Sequence, residues 1–349
     1  MSILNTISLE SNKKIKINFN GGNLSSDGGL LLIKEFAAKV GLIKLVKKLF
    51  KTNDHTNSRI HTDSDNLMQM LYQIIAAYFE DDCADELTND PVLKSILEKE
   101  ALASQPTLSR FWNRMDNDTL TQLDSINAKM RDIVYSIKTP QHMLFDLDST
   151  LLNTYGKQEG EGFNFHYQAH GYHPLLCYDG ITGDLLKAEL RNGTQYCSND
   201  SDTALFRAAR ENQTDYMVEY GEFYYQAGSW SHPRRVVFKV EKPYNQFIHL
   251  YTFVVTTMES QPHQVIQFYC GRGKMENFIK EGKSGFDFSS VSSRSKVVNA
   301  NHLQVHVLAY NLFNWFRRLV LSSNMRKQQI NTIRLKLLKV AAKVVHTAR

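Results

Sequence analysis

The chain has 349 residues, 42% of them hydrophobic, and carries a formal net charge of +5 at pH 7. That is enough apolar material for roughly two or three domains with true cores; the four cysteines form no C-x2-C pair, which excludes a zinc ribbon or a dithiol redox motif and leaves free thiols in a reducing cytosol. No apolar run approaches the roughly 20 residues that span a bilayer, and the opening MSILNTISLESNKKIKINF has no continuous apolar core, so a cytoplasmic chain with no signal peptide and no membrane partner is expected.

Taken from the N-terminus, KKIKINF (13–19) alternates polar and apolar residues and predicts a short strand. The Gly- and Ser-rich stretch 20–29 follows, with Ser26 or Asp27 placed to cap a helix. GLLLIKEFAAKVGLIKLVKKLF (29–50) reads as helix interrupted near Gly41. NLMQMLYQIIAAYF (66–79) is apolar on nearly every side and predicts a buried helix, and the acidic cluster from Glu80 to Glu86 marks a solvated helix end. DPVLKSILEKE (90–100) opens a helix at Asp90 and Pro91, and SQPTLSRFWNRM (104–115) opens another with Pro106 in its first turn. Short helices joined by tight turns, with Arg110 and Arg114 on a polar side, resemble a helix-turn-helix reader. Both arginines are candidates for base or phosphate contact, with a structural role equally open, while Phe111 and Trp112 read as core.

From about residue 140 the pattern turns to strands: HMLFDLD, HPLLCYD and DLLKAEL are short, apolar and bounded by turns. Asp179 and Asp184 flank a hairpin turn with Gly180 and Gly183, and His166, His170 and His173 are read as structural hydrogen-bonding residues. A second strand-rich section spans 217–258, where RRVVFKVE and HLYTFVVTT, separated by KPYNQF, predict a hairpin. HVLAYNLFNWFRRLVL and TIRLKLLKVAAKVV then carry apolar residues at three- and four-residue steps and predict helices. Residues 288–349 hold eleven Lys or Arg and no Asp or Glu, so the rest of the chain is net negative; a basic tail of this kind suits a DNA backbone.

Two motifs carry chemistry. In LFDLDST (144–150), Asp146 and Asp148 alternate with apolar residues and project from one strand face. In YCGRGKMENFIKEGK (269–283), Tyr269, Arg272, Glu276 and Lys283 would fall at roughly 0°, −60°, −20° and −40° around a helix. Such a face can hold a divalent metal through Glu276 and phosphates through Arg272 and Lys283. A strand-end carboxylate joined by one from a distant helix is how a two-metal nuclease site is assembled.

The pair D-S-T and Y-x2-R-x3-E-x6-K resembles the DDE transposases of bacterial insertion sequences. LASQPTLSRFWNR (102–114), GYHPLLCYDGITGDLLKAELRNGT (171–194), YGEFYYQAGSWSHPRRVVFKVEKP (220–243) and LAYNLFNWFRRL (308–319) extend the likeness, in order, over essentially the whole chain. The resemblance implies an α+β fold with mixed α/β character. Its parts are a helical N-terminal DNA-binding region (1–135), the first part of a ribonuclease-H-like core (136–203), a β-rich insertion (204–262) and the C-terminal helical part of the core with its basic tail (263–349). It makes Asp148 the first catalytic carboxylate, with Asp146 the alternative, and Glu276 the last, both holding Mg2+ or Mn2+. It assigns Tyr269, Arg272, Lys283, Arg234 and Arg235 to DNA. Trp230 would stack on an unpaired base beside the cut, the alternative being a core residue. Transposon ends and target DNA are the implied partners, bound by a homodimer in the bacterial cytoplasm at the nucleoid.

One departure matters as much. The family's middle aspartate lies in a D-[SA]-[GA]-F motif, and none is present; QYCSNDSDT (195–203) runs almost directly into ALFRAARENQTDYMVEYGEF (204–223). Two adjacent divalent ions need several carboxylates to offset their charge. The expectation is therefore an internally deleted transposase with impaired strand cleavage, the alternative being an inactive remnant that binds the DNA ends.

Overall fold

The computed structural model describes residues 7–8, 16–17, 22, 24–54, 56, 59–80, 82–165, 167–195, 217–227, 230–242, 250–270 and 275–345. Its elements in chain order begin with β1 (Ile7–Ser8), β2 (Lys16–Ile17), β3 (Leu24–Ser25), α1 (Leu30–Lys39), α2 (Leu42–Leu49), α3 (Asp63–Ile75), α4 (Cys83–Leu87), α5 (Pro91–Leu97), α6 (Gln105–Asn113) and α7 (Asn117–Ile137). Strands follow: β4 (Phe145–Ser149), β5 (Leu152–Asn153), β6 (Gly162–Asn164), β7 (Ala169–Tyr172), β8 (Leu175–Asp179), β9 (Leu185–Glu189), β10 (Met217–Tyr225), β11 (Arg234–Lys242) and β12 (Leu250–Thr256). The chain closes with α8 (Pro262–Cys270), α9 (Met275–Phe286), α10 (Lys296–Val320), α11 (Ile330–Ile333) and β13 (Ala342–Lys343). The result is a mixture of helices and small antiparallel sheets in two units, one of residues 1–133, 285–287 and 308–349, the other of 134–284 and 288–307.

The first unit is mainly helical, and its helix starts follow from local chemistry. Thr62 and Asp65 close a reciprocal capping box ahead of α3. Asp90 accepts from Leu93 N at 2.8 Å ahead of α5, whose first residue is Pro91. Gly41, at φ +80°, takes the left-handed turn that separates α1 from α2. Helix α3 is buried along most of its length, with Leu67, Leu71 and Ile75 at 0% exposure, as its apolar sequence predicts. Each such side chain contributes about 1.5–3 kcal/mol by leaving water. Phe36 meets Phe316 edge-on at 5.7 Å, and Phe286 meets Tyr310 edge-on at 5.3 Å.

Two expectations fail in this unit. Neither Ser26 nor Asp27 caps α1, whose N-cap is Gly29 without a side-chain bond. Asp27 is instead buried, accepting from Tyr78 Oη at 2.8 Å and pairing with Lys339 Nζ at 2.8 Å. The helix expected across TIRLKLLKVAAKVV also stops early. After α11 the chain makes a π-helical turn over Arg334–Leu338, and β13 then pairs with β3, Ala342 opposite Ser25. Arg334 explains the stop. Its guanidinium is buried and donates to the carbonyls of Ile74, Ile75 and Gly285 at the C-terminal turns of α3 and α9, where Ile74 O also receives Ala77 N at 3.0 Å.

The second unit holds three sheets: β4-β8-β9, β5-β7-β6 and β10-β11-β12, all antiparallel. The expected hairpin of RRVVFKVE and HLYTFVVTT is β11 and β12, with Val237 opposite Val254. The β8–β9 turn is built on buried Asp179, which accepts from Leu144 N, Ile181 N and Thr182 Oγ1. A core of Leu144, Val237, Val254, Val265, Ile266 and Tyr269 fixes α8 against β11 and β12 and the approach to β4. Phe278 of α9 stacks on Tyr178 of β8 at 5.8 Å, and Gln304 of α10 donates to Ala188 O at 2.6 Å. No described helix is long and apolar enough to cross a membrane.

Candidate active site

Strand β4 presents two carboxylates two residues apart, but in different surroundings. Asp146 is fully buried and accepts from Tyr269 Oη at 3.3 Å. Asp148 is exposed at its rim, and Ser149 N donates to its Oδ1 at 2.8 Å. Lost hydration around the carboxyl group is the largest influence on Asp148 and pushes its pKa up. The negative charge of Glu276 pushes the same way, while the Ser149 N–H and His173 pull it down. That mutual effect places Glu276 within electrostatic reach of Asp148. The route is structural: Asp146 faces Tyr178 across β4 and β8, Tyr178 stacks on Phe278, and Phe278 is two residues beyond Glu276 on α9.

The second motif spans two described helical segments, with Tyr269 in α8, described to Cys270, and Glu276 in α9, described from Met275; residues 271–274 between them lie outside the described residues. Tyr269 faces inward, 6% exposed, in the α8 core. Lys283 is half-buried and donates through Nζ to Leu151 O at 2.8 Å, close behind β4; burial lowers its pKa. Arg272 and His166 lie outside the described residues, as does the sequence 196–216.

The β10-β11-β12 sheet gathers the other candidates of the second unit. Trp230 is half-buried, with the Arg234 guanidinium over its ring at 5.5 Å and Tyr225 edge-on at 5.9 Å. Arg235 pairs with Glu222 and donates to Met258 O and Ser260 O. A cavity of about 530 Å3 opens here, lined by Phe145, Tyr224, Arg234 and Arg235 among others, with Tyr224 74% exposed. The sequence reading missed this hollow, because Phe145 is distant from these strands along the chain. His173 has Nδ1 against Gln195 O at 2.8 Å and lies within electrostatic reach of Asp148, while His170 pairs with Glu161.

In the first unit, the two candidate arginines have different fates. Arg114 is turned onto Asp54 and Asp63, at 3.4 and 3.5 Å, in a cluster that also includes Arg59. Arg110 is exposed and donates only to Thr107 Oγ1 among its described contacts, at 3.3 Å.

The donor set sets limits on a metal. Among the described residues no three His, Cys, Asp or Glu side chains converge as a metal-binding group. Two neighbouring carboxylates fit a single hard cation whose other positions are water; they do not fit two adjacent divalent ions.

Two stretches of the chain, residues 7–210 and 200–349, match the family model described as Transposase DDE domain group 1. No curated protein matches the chain. Among solved structures, the cryo-EM structure of a piggyBac transposase synaptic complex with hairpin DNA is similar at a TM-score of 0.42 and 12% identity, over 89% of this chain and 80% of that one.

Proposed function

The chain belongs to the Transposase DDE domain group 1 family, and from that membership we propose that it is an insertion-sequence transposase whose strand cleavage and joining are impaired by loss of the middle aspartate. One observation carries the impairment: the family match falls into two stretches that overlap at residues 200–210. That is where QYCSNDSDT runs directly into ALFRAARENQ, without the block that bears the aspartate. The reading places a ribonuclease-H-like core around β4, β8 and β9, with the β10–β12 sheet as its insertion and residues 1–135 as the DNA-binding region. A homodimer on paired DNA ends, at the bacterial nucleoid, completes it.

Asp148 and Glu276 would hold Mg2+ or Mn2+, with Asp146 the reserve ligand of β4. A divalent ion bound there supplies Lewis-acid polarisation of a phosphodiester oxygen. The chain's own residues do the rest. Tyr269 holds Asp146 from the core side, which fixes β4 and hence Asp148. Lys283 and Arg272 grip phosphate, Lys283 by leaving Leu151 O for the strand. Arg110, Arg234 and Arg235 contact the backbone, Trp230 stacks an unpaired base, and Arg114 supports the α6 surface through Asp54 and Asp63.

A catalytically inactive remnant that binds DNA ends is the second reading, and the missing D-[SA]-[GA]-F motif is what supports it. Calorimetry of the purified chain with Mg2+ or Mn2+ separates the possibilities. One weakly bound ion, lost in both Asp148→Ala and Glu276→Ala, is the expected result. Two ions per chain, together with robust cleavage of matching transposon ends, would overturn the impairment; binding that survives both substitutions would overturn the assignment of Asp148 and Glu276.

A further inference from the structure

Away from Asp148 and Glu276, two loops of the second unit are tied together from within. Residues 154–161 follow β5, and residues 291–296 lead into α10. Gln158 Nε2 donates to Val291 O at 2.8 Å, and the fully buried Asn299 donates to Gln158 Oε1 at 3.1 Å and to Ser293 O at 2.8 Å. Glu159 N donates to Arg294 O at 2.9 Å, and Lys296 N donates to Glu159 Oε2 at 3.1 Å. Between the loops is an open hollow of about 370 Å3 lined by Tyr155, Lys157 and Arg294 among others. Lys157 and Arg294 are exposed, and neither has an acidic partner among the described residues.

Tyr155 lines the same hollow as these cations, and a second exposed ring, Phe165, follows β6 of the same sheet. Tyr155 is 89% exposed and Phe165 86% exposed. Thr154 N donates to His170 O at 3.3 Å, which sets Tyr155 beside β7. Phe163, opposite His170 in the β6–β7 register, meets the His170 ring at 5.4 Å and the Phe165 ring at 5.2 Å. The acids of the same loop are engaged: Glu161 accepts from Thr154 and faces His170, and Glu159 receives Lys296 N. The outward chemistry is therefore aromatic and cationic.

Aromatic faces interleaved with unpaired cations match an unpaired nucleic-acid strand, whose bases stack and whose phosphates are neutralised. A duplex would leave the rings uncovered, because its base faces are already stacked. We propose that the β5-β7-β6 sheet and the 291–296 loop bind a single strand of DNA, with bases on Tyr155 and Phe165 and phosphates on Lys157 and Arg294. The choice of DNA rests on the transposase reading; the stacking surface does not depend on Asp148 or Glu276.

The test uses the full chain and fluorescence anisotropy with a labelled oligo-dT of about 15 nucleotides, a length within the range one such surface covers. The Tyr155→Ala, Phe165→Ala double variant is expected to bind at least about tenfold more weakly, with an unchanged thermal midpoint because both rings are exposed. Lys157→Ala with Arg294→Ala is expected to reduce the salt dependence of binding by about 1.4 in log–log slope, at about 0.7 per phosphate for single strands. Equal affinity of parent and double variant, or no binding of oligo-dT by the parent, would overturn the site. Tighter binding of oligo-rU than oligo-dT would overturn the choice of DNA. Metal calorimetry reads the carboxylate assignment independently, so the two can fail separately.

Discussion

Asp148 keeps its charge in a place that disfavours it. Its pKa is raised in the folded chain by lost hydration and then by Glu276. A carboxyl raised on folding costs stability above its folded pKa, and the cost vanishes below the unfolded value of about 3.9. Asp148→Asn should therefore raise the thermal midpoint of the metal-free chain at pH 7, with the gain fading as pH falls towards 4; a gain that grows with acid would contradict the cause given. Arg114 makes the opposite case, since Asp54 and Asp63 lose a partner when it is removed. With these side chains 22%, 18% and 11% exposed, Arg114→Ala should cost about 1–3 kcal/mol by denaturant unfolding. Arg110→Ala, on an exposed side chain, should stay within about 0.5 kcal/mol. Both arginines look alike in SQPTLSRFWNRM, because their partners come from residues 54–63 and no local pattern announces them.

At the scale of elements, what was legible depended on how local the cause is. The helix start at Asp90 and Pro91, the break at Gly41 and the β11–β12 alternation are encoded within a few residues and formed where they were expected, whereas α3, expected over 66–79, starts earlier at Asp63 behind a Thr62 cap and ends at Ile75. The C-terminal segment was misread because its fate is decided by distant groups: β3 pairs with it, and Arg334 leaves the helical pattern to reach Ile74 and Ile75. Arg334→Met should remove several charge-assisted bonds to carbonyls that would stay buried, costing about 2–4 kcal/mol in equilibrium unfolding. A cost below about 0.5 kcal/mol would mean that the guanidinium is not what satisfies those carbonyls. In the motif of Tyr269 and Glu276 the phenol turns to the core, a packing role that spacing alone does not announce.

Across the whole molecule, the candidate carboxylates of β4 stand out in the sequence because a strand-end D-S-T is chemically conspicuous. The Tyr155, Phe163 and Phe165 surface was not, since exposed rings in a loop look the same on paper as buried ones. The strand that carries Asp148 has one further property. Among the described residues β4 pairs with β8, and its Leu147 is 51% exposed. An exposed apolar side chain on a strand invites association with another chain, and charge beside it is a usual deterrent. Asp148 is thus a guard against self-association as well as a candidate ligand. Replacing it with alanine should leave a folded chain that clumps at lower concentration than the parent, visible by light scattering, which would give selection a reason to keep Asp148 separate from any metal it holds.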